Sequence, residues 1–108
     1  MLNLNTLPTA DITTITWEEA PAGFDYTGSL YNIQLAEIDG IKLILGHDID
    51  SHKSSIAAEI EGRWYDTSST QDWPVFDHIF GRKAWQSFVA EHAEQAIAEI
   101  EADLDDDE

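Results

Sequence analysis

YNIQLAEIDGIKLIL, residues 31–45, is the stretch that decides the fold of this 108-residue chain. Apolar side chains take alternate positions on both sides of Asp39-Gly40: Tyr31, Ile33, Leu35, Ile41, Leu43 and Leu45. Such alternation is typical of half-buried strands, and an Asp-Gly pair accepts the positive φ angles of a type I′ turn. Residues 31–45 therefore predict a β-hairpin.

A second hairpin is predicted directly downstream. One face of its first strand holds Ile56, Ala58 and Ile60, and the other face holds Glu59 and Glu61. Glu61-Gly62 then turns the chain into residues 63–65. The alternative is a short helix through Ile60, capped by Ser54 or Ser55. Further upstream, the β-branched residues of DITTITW (11–17) predict another short strand.

The C-terminal third changes to helical spacing. The apolar positions of this long helix are Trp85, Phe88, Val89, Ala93, Ala96, Ile97, Ile100 and Leu104. Residues 72–80 predict a shorter helix before it, with Pro74 in its first turn and Gly81 at its end. The predicted fold class is α+β, an antiparallel β-meander of about four strands packed against a long C-terminal amphipathic helix. Residues 1–104 should form one domain and residues 105–108 an acidic tail.

Acidity is the unusual feature of the composition. Twenty-two acids against five bases give a formal net charge of −17. Leaving out the five acids of residues 103–108 still leaves 17 acids against five bases, or −12. A net charge of about 2–8 in magnitude suffices to keep a small domain soluble, so this acidity exceeds what solubility requires and favours a binding surface over a solubility device. The 43% of hydrophobic residues separates the chain from disordered acidic proteins.

This charge and the lack of cysteine exclude several classes of function. Nucleic acid and anionic membranes both repel an acidic surface, because binding to either relies on Lys and Arg. Without cysteine the chain has neither disulfides nor a thiolate metal site. The N-terminus lacks the basic and apolar regions of a signal peptide. We therefore expect a cytoplasmic protein that binds a protein partner.

The acids of the long helix are the predicted docking surface. Helical periodicity places Glu91, Glu94 and Glu101 opposite the apolar stripe and Glu99 on the flank. Residues 84–108 hold nine acids and no base, so no ion pair within that segment offsets their repulsion. The predicted partner-binding residues are Glu91, Glu94, Glu99, Glu101 and Asp103, with Glu59 and Glu61 of the second hairpin.

In size, acidity, lack of cysteine and α+β pattern, the chain resembles the phage-type DNA-mimic inhibitors. These include anti-CRISPR proteins, anti-restriction proteins and inhibitors of DNA-repair glycosylases. The resemblance implies a non-enzymatic inhibitor in the cytoplasm of a bacterium or a phage-infected cell. Its target would be a basic nucleic-acid-binding protein: a CRISPR effector, a restriction enzyme or a nuclease. Bacterial immunity proteins, which neutralise basic nuclease toxins, share this composition. The other alternative is an acidic accessory protein that forms a homodimer through its sheet.

Two polar stretches contain residue types found in metal and catalytic sites. HDIDSH (47–52) supplies potential metal ligands in His47, Asp48, Asp50 and His52. It lacks the glycine and the distant glutamate of a calcium loop, so a polar turn after a strand is favoured. Asp77-His78 has no nucleophile signature beside it. We expect no enzyme activity, no cofactor and no bound metal.

The sequence also predicts which of several aromatic and imidazole side chains are buried and which are exposed. His92 falls on the apolar side of the long helix and is expected to be a packed, hydrogen-bonded core residue. Tryptophan is a favoured interface anchor when it is exposed. One of Trp64 and Trp73 is expected to be exposed.

Overall fold

The computed structural model describes residues 3–21, 30–48, 50–51 and 53–105. Its strands are β1 (Glu18–Glu19), β2 (Leu30–Ile38), β3 (Ile41–Asp48), β4 (Lys53–Ile60) and β5 (Arg63–Asp66). Its helices are α1 (Trp73–Phe80) and α2 (Arg82–Asp105), and short 3-10 turns cover Leu4–Thr6, Ile12–Thr14 and Thr70–Asp72. The α+β fold class is confirmed, with five strands where about four were predicted.

The sheet is an antiparallel meander with the strand order β1-β2-β3-β4-β5. Both predicted hairpins are confirmed. Asp39 (φ 48°) and Gly40 (φ 84°) join β2 to β3, and Glu61 (φ 54°) and Gly62 (φ 78°) join β4 to β5. Two consecutive positive φ angles are the signature of type I′ turns. The alternative of a capped helix through Ile60 is wrong, because Lys53–Ile60 is strand β4.

The strand predicted over residues 11–17 is wrong. Ile12–Thr14 forms a 3-10 turn instead, and the short strand β1 follows it at Glu18–Glu19. The cause is Asp11, whose Oδ1 accepts hydrogen bonds from the Thr13 backbone N–H (3.0 Å) and the Thr13 hydroxyl (2.7 Å). Such local bonds compete with strand pairing. The turn directs Ile12 into the core, where it is fully buried.

The hydrophobic core lies between one face of the sheet, called the inner face, and the two helices. Leu43 and Leu45 of β3 and Ile56 of β4 supply its sheet side. Phe76 of α1 and Trp85 of α2 supply its helix side. α1 begins at Trp73, immediately before Pro74, and ends at Gly81 (φ 86°), as predicted. The inner face is thus the side of the sheet that the helices cover.

The apolar stripe of α2 is buried only in part. Trp85 and Ala96 are buried, and Phe88 and Val89 pack against the core while remaining half-buried. Ile97 is 36% exposed, although its spacing predicted a buried position. The α2 residues that pack on the core are therefore concentrated in its first turns. The side chain of Leu104 lies outside the described structure.

Candidate functional site

Four glutamates of α2 lie on its solvent side. Glu91, Glu94, Glu99 and Glu101 are all exposed, and together they are called the α2 acidic face. No described lysine or arginine forms an ion pair with any of them; the salt bridge among the described residues joins Arg82 to Asp77. Asp103 also belongs to α2, but its side chain lies outside the described structure. The predicted helix surface thus consists of solvated carboxylates on one rigid element.

The α2 acidic face lowers the stability of its own helix. Glu91 and Glu94 are three residues apart, a spacing at which a pair of like charges destabilises a helix by about 0.2–0.5 kcal/mol. Glu99 and Glu101 lie toward the C-terminal end, where the helix dipole favours cations. No basic residue follows Lys83. The arrangement therefore does not serve helix stability.

Glu59 and Glu61 lie apart from the α2 acidic face. Ala58 and Ile60 point to the inner face, so Glu59 points to the opposite side of the sheet. Glu61 is in the β4–β5 turn, whereas α2 packs near the other end of β4, where Ser54 shares a groove with Trp85 and Val89. Seven residues of strand separate Ser54 from Glu61, which is about 23 Å. The predicted residues therefore belong to two surfaces rather than one.

The face of the sheet that the helices leave uncovered has its own pattern, which the sequence analysis missed. One row across the strands is Glu18–Leu35–Ile44–Ala57–Asp66, and the next is Glu37–Lys42–Glu59–Trp64. A cavity of about 610 Å³ lies over these rows. The outer sheet face is defined here by Glu18, Leu35, Glu37, Lys42, Ile44, Glu59 and Trp64.

Trp64 gives the outer sheet face an exposed aromatic side chain. It is 44% exposed, whereas Trp73 is half-buried and donates its indole N–H to the Thr67 carbonyl (2.7 Å). The prediction that one of the two is exposed is confirmed for Trp64. The predicted alternation put Glu59 and Ile60 on opposite faces of the second hairpin. Continuing this alternation across the Glu61-Gly62 turn would have placed Trp64 on the same face as Glu59, its cross-strand neighbour.

The HDIDSH stretch contains a polar turn. His47 is fully buried in β3, and its Nδ1 lies 2.9 Å from Ser54 Oγ. Asp48 Oδ1 accepts hydrogen bonds from the backbone N–H groups of Asp50 (2.9 Å) and Ser51 (3.4 Å). His52 lies outside the described residues. Within the described residues, no three potential ligands come together as a metal-binding group.

His92 is buried beneath α2, as its position on the apolar side predicted. The expected hydrogen bond is not formed at Nε2, which has no partner among the described residues. Burial lowers the pKa of His92, and the charge of nearby His47 lowers it further. Both effects act because the charged imidazolium loses hydration and meets a second cation. A neutral imidazole at this position suits packing.

Asp77 is held by hydrogen bonds at the corner between α1 and α2. Its Oδ2 accepts from Arg82 Nε (3.0 Å) and Nη2 (2.6 Å), and its Oδ1 accepts from the Trp85 indole N–H (2.8 Å). The Arg82 hydrogen bond chiefly lowers the pKa of Asp77, with Trp85 adding to the effect, while burial opposes both. This carboxylate orients its neighbours and is not free to act as a base.

No family model, curated protein or solved structure matches the chain. Neither α1 nor α2 combines the length and the hydropathy that a membrane-crossing helix needs. The function is therefore argued from the geometry and charge of the two surfaces.

Proposed function

We propose that this protein is a non-enzymatic acidic inhibitor that docks on a basic, nucleic-acid-binding surface of a target protein. The observation that carries the proposal is the α2 acidic face, an exposed set of carboxylates on one helix, none of which forms an ion pair with a described lysine or arginine. CRISPR effectors, restriction enzymes and nuclease toxins all belong to the target class that its charge fits. Binding would occlude the site that such a target uses for DNA or RNA.

The spacing along α2 supports the proposal. Glu94 and Glu101 are two helical turns apart, which is about 10 Å, and Glu91 and Glu94 are closer, at roughly 5–6 Å. Phosphates of one nucleic-acid strand recur about every 3.4 Å along the helix axis, so these spacings match steps of about two and three phosphates. The helix holds the backbone under these carboxylates in place before binding, so docking need order only the side chains, at about 0.5–1.5 kcal/mol each. The high net charge would also speed the encounter with a basic cleft.

Capture from a bacterial lysate tests the proposal. The protein is immobilised, exposed to lysate at low salt and eluted with a salt gradient, and duplex DNA and RNA are added as competitors. We expect nucleic-acid-binding proteins in the eluate, and their capture should fall when either competitor is present. Capture that neither competitor reduces would argue against a nucleic-acid-binding site as the target.

Two charge-reversed variants locate the docking residues. Glu94→Lys changes the α2 acidic face, and Glu19→Lys makes the same change in net charge at an exposed position that belongs to neither surface. We expect the first variant to lose capture by about tenfold or more, because close charge pairs at interfaces contribute about 1.5–7 kcal/mol. An equal loss in both variants would mean that total charge, and not this face, binds the target.

A further inference from the structure

We propose that the outer sheet face is a second docking surface, which binds an extended, arginine-bearing segment of a partner protein around one apolar side chain. The inference goes beyond the proposed function, because it requires no contact with the α2 acidic face. The two surfaces lie on opposite sides of the molecule: α1 and α2 cover the inner face, while Leu35, Ile44 and Trp64 point away from them.

The centre of the outer sheet face is apolar. Leu35 and Ile44 are cross-strand neighbours, and with Trp64 they line the cavity of about 610 Å³. That volume lies within the range of about 300–1,000 Å³ that is usual for ligand pockets. Trp64 remains 44% exposed, and a large aromatic side chain with this much free surface is the type that anchors interfaces. An apolar side chain of a partner would gain burial by entering here.

The charges around this centre select the partner. Glu18, Glu37 and Glu59 surround it, against the single base Lys42, so the rim carries a net negative charge. A second copy of the chain would bring identical glutamates face to face, and nucleic acid would add its own phosphates to this repulsion. A basic protein segment is the complementary occupant. Arginine fits better than lysine, since its planar guanidinium stacks on an indole and pairs with a carboxylate through two hydrogen bonds.

The strand spacing fits an extended segment that crosses the sheet. Glu18 on β1 and Glu59 on β4 are three strands apart, about 14 Å, and are offset by two residues along the strands, so they are about 16 Å apart. In an extended chain, residues i, i+2 and i+4 share one side, and residues i and i+4 are about 13 Å apart. The long side chains of arginine cover the remaining distance, so the sequence Arg-x-Leu-x-Arg would place its leucine against half-buried Leu35 and exposed Trp64, above the buried Ile44, while its arginines reach the two glutamates.

Two peptides that differ in one side chain test this inference. The probe is acetyl-Arg-Ser-Leu-Ser-Arg-amide, and the control, acetyl-Arg-Ser-Ser-Ser-Arg-amide, has the same charge but no apolar anchor. Each is titrated into the isotopically labelled full chain while amide and indole resonances are followed by NMR. We expect shifts at Trp64, Leu35 and Ile44, and an affinity for the leucine peptide about tenfold higher, because its leucine buries apolar surface that the serine of the control lacks.

Variants of the protein provide the second arm of the test. Trp64→Ala should weaken binding of the leucine peptide by about tenfold, as expected for an interface anchor. Glu18→Gln with Glu59→Gln removes the two carboxylates that the arginines would reach while preserving the shape of the rim, and should weaken both peptides. Glu94→Lys with Glu101→Lys should leave both affinities unchanged. Retained dispersion of the NMR spectrum shows in each case that the variant folds.

Three results would overturn the inference. Equal affinity for the two peptides would reduce it to general charge attraction, and shifts centred on α2 would place the binding elsewhere. Concentration-dependent shifts at Trp64 without peptide would make a second copy the occupant. None of these results bears on capture by the α2 acidic face, which is measured with other ligands and lost through other substitutions.

Discussion

Asp77 is a single side chain on which two other residues depend. It accepts hydrogen bonds from Arg82 and from the indole of Trp85, which is 4% exposed. We expect Asp77→Ala to lower the free energy of unfolding by about 1–2 kcal/mol, because a buried indole N–H then loses its partner. Arg82→Ala keeps the bond to Trp85 and should cost less. Urea unfolding followed by tryptophan fluorescence measures both, and equal losses would contradict the role given to Trp85.

His92 couples stability to pH. Burial, and then the charge of His47, lower its pKa in the folded protein, whereas an unfolded histidine titrates near about 6.5. Below that pH the unfolded chain binds the proton that the folded chain excludes, so acidification favours unfolding. The contribution of neutral His92 to the free energy of unfolding is therefore complete above about pH 6.5, and it is lost as the pH falls toward the pKa of His92 in the folded protein.

Urea unfolding at about pH 8 and about pH 5.5, a range above the ordinary carboxylate pKa values, measures this effect. We expect the wild-type protein to lose more stability on acidification than His92→Leu. His78→Asn, which keeps both buried imidazoles, should behave as the wild type does. If His92→Leu kept the full pH dependence of the wild type, another group would be responsible.

Among the secondary-structure elements, the turns and the end of α1 were predictable, because the backbone conformation at those points favours particular residues. Asp39-Gly40 and Glu61-Gly62 accept positive φ angles, and both became tight turns. Gly81 ends α1 for the same reason. By contrast, residues 11–17 have a strong strand composition, but the side chain of Asp11 stabilises a turn there. A local hydrogen bond outweighed propensity, and composition cannot reveal that.

The two surfaces differ in how far the sequence could predict them. The glutamates of α2 are exposed, as predicted, because a helix with one apolar side has a solvent side wherever it packs. The outer sheet face depends on register. The two-residue Asp39-Gly40 turn sets that register: Ile38 pairs with Ile41, and counting back from the turn pairs Leu35 with Ile44, on the face opposite Leu43. The position of Leu35 follows from this cross-strand pairing, which the alternation within one strand does not show.

The whole molecule carries a net charge of −17, and this charge opposes folding as well as directing binding. Compaction brings like charges together, and exposed carboxylates such as Glu94 and Glu101 repel most strongly at low salt. From about 20 mM to about 300 mM sodium chloride, the screening length falls from roughly 20 Å to about 6 Å. Screening should therefore stabilise the folded chain over this range.

We expect the free energy of unfolding in urea, an uncharged denaturant, to rise over the same salt range. Glu94→Lys with Glu101→Lys removes four units of negative charge and should show a smaller rise. Binding of a basic target should weaken under the salt conditions that stabilise the protein, because the same screening reduces attraction between partners. If the free energy of unfolding rises with salt while the affinity for the target falls, the same negative charge both destabilises the fold and attracts the target. If the free energy of unfolding did not change with salt, the charge that attracts the target would not be a charge that destabilises the fold.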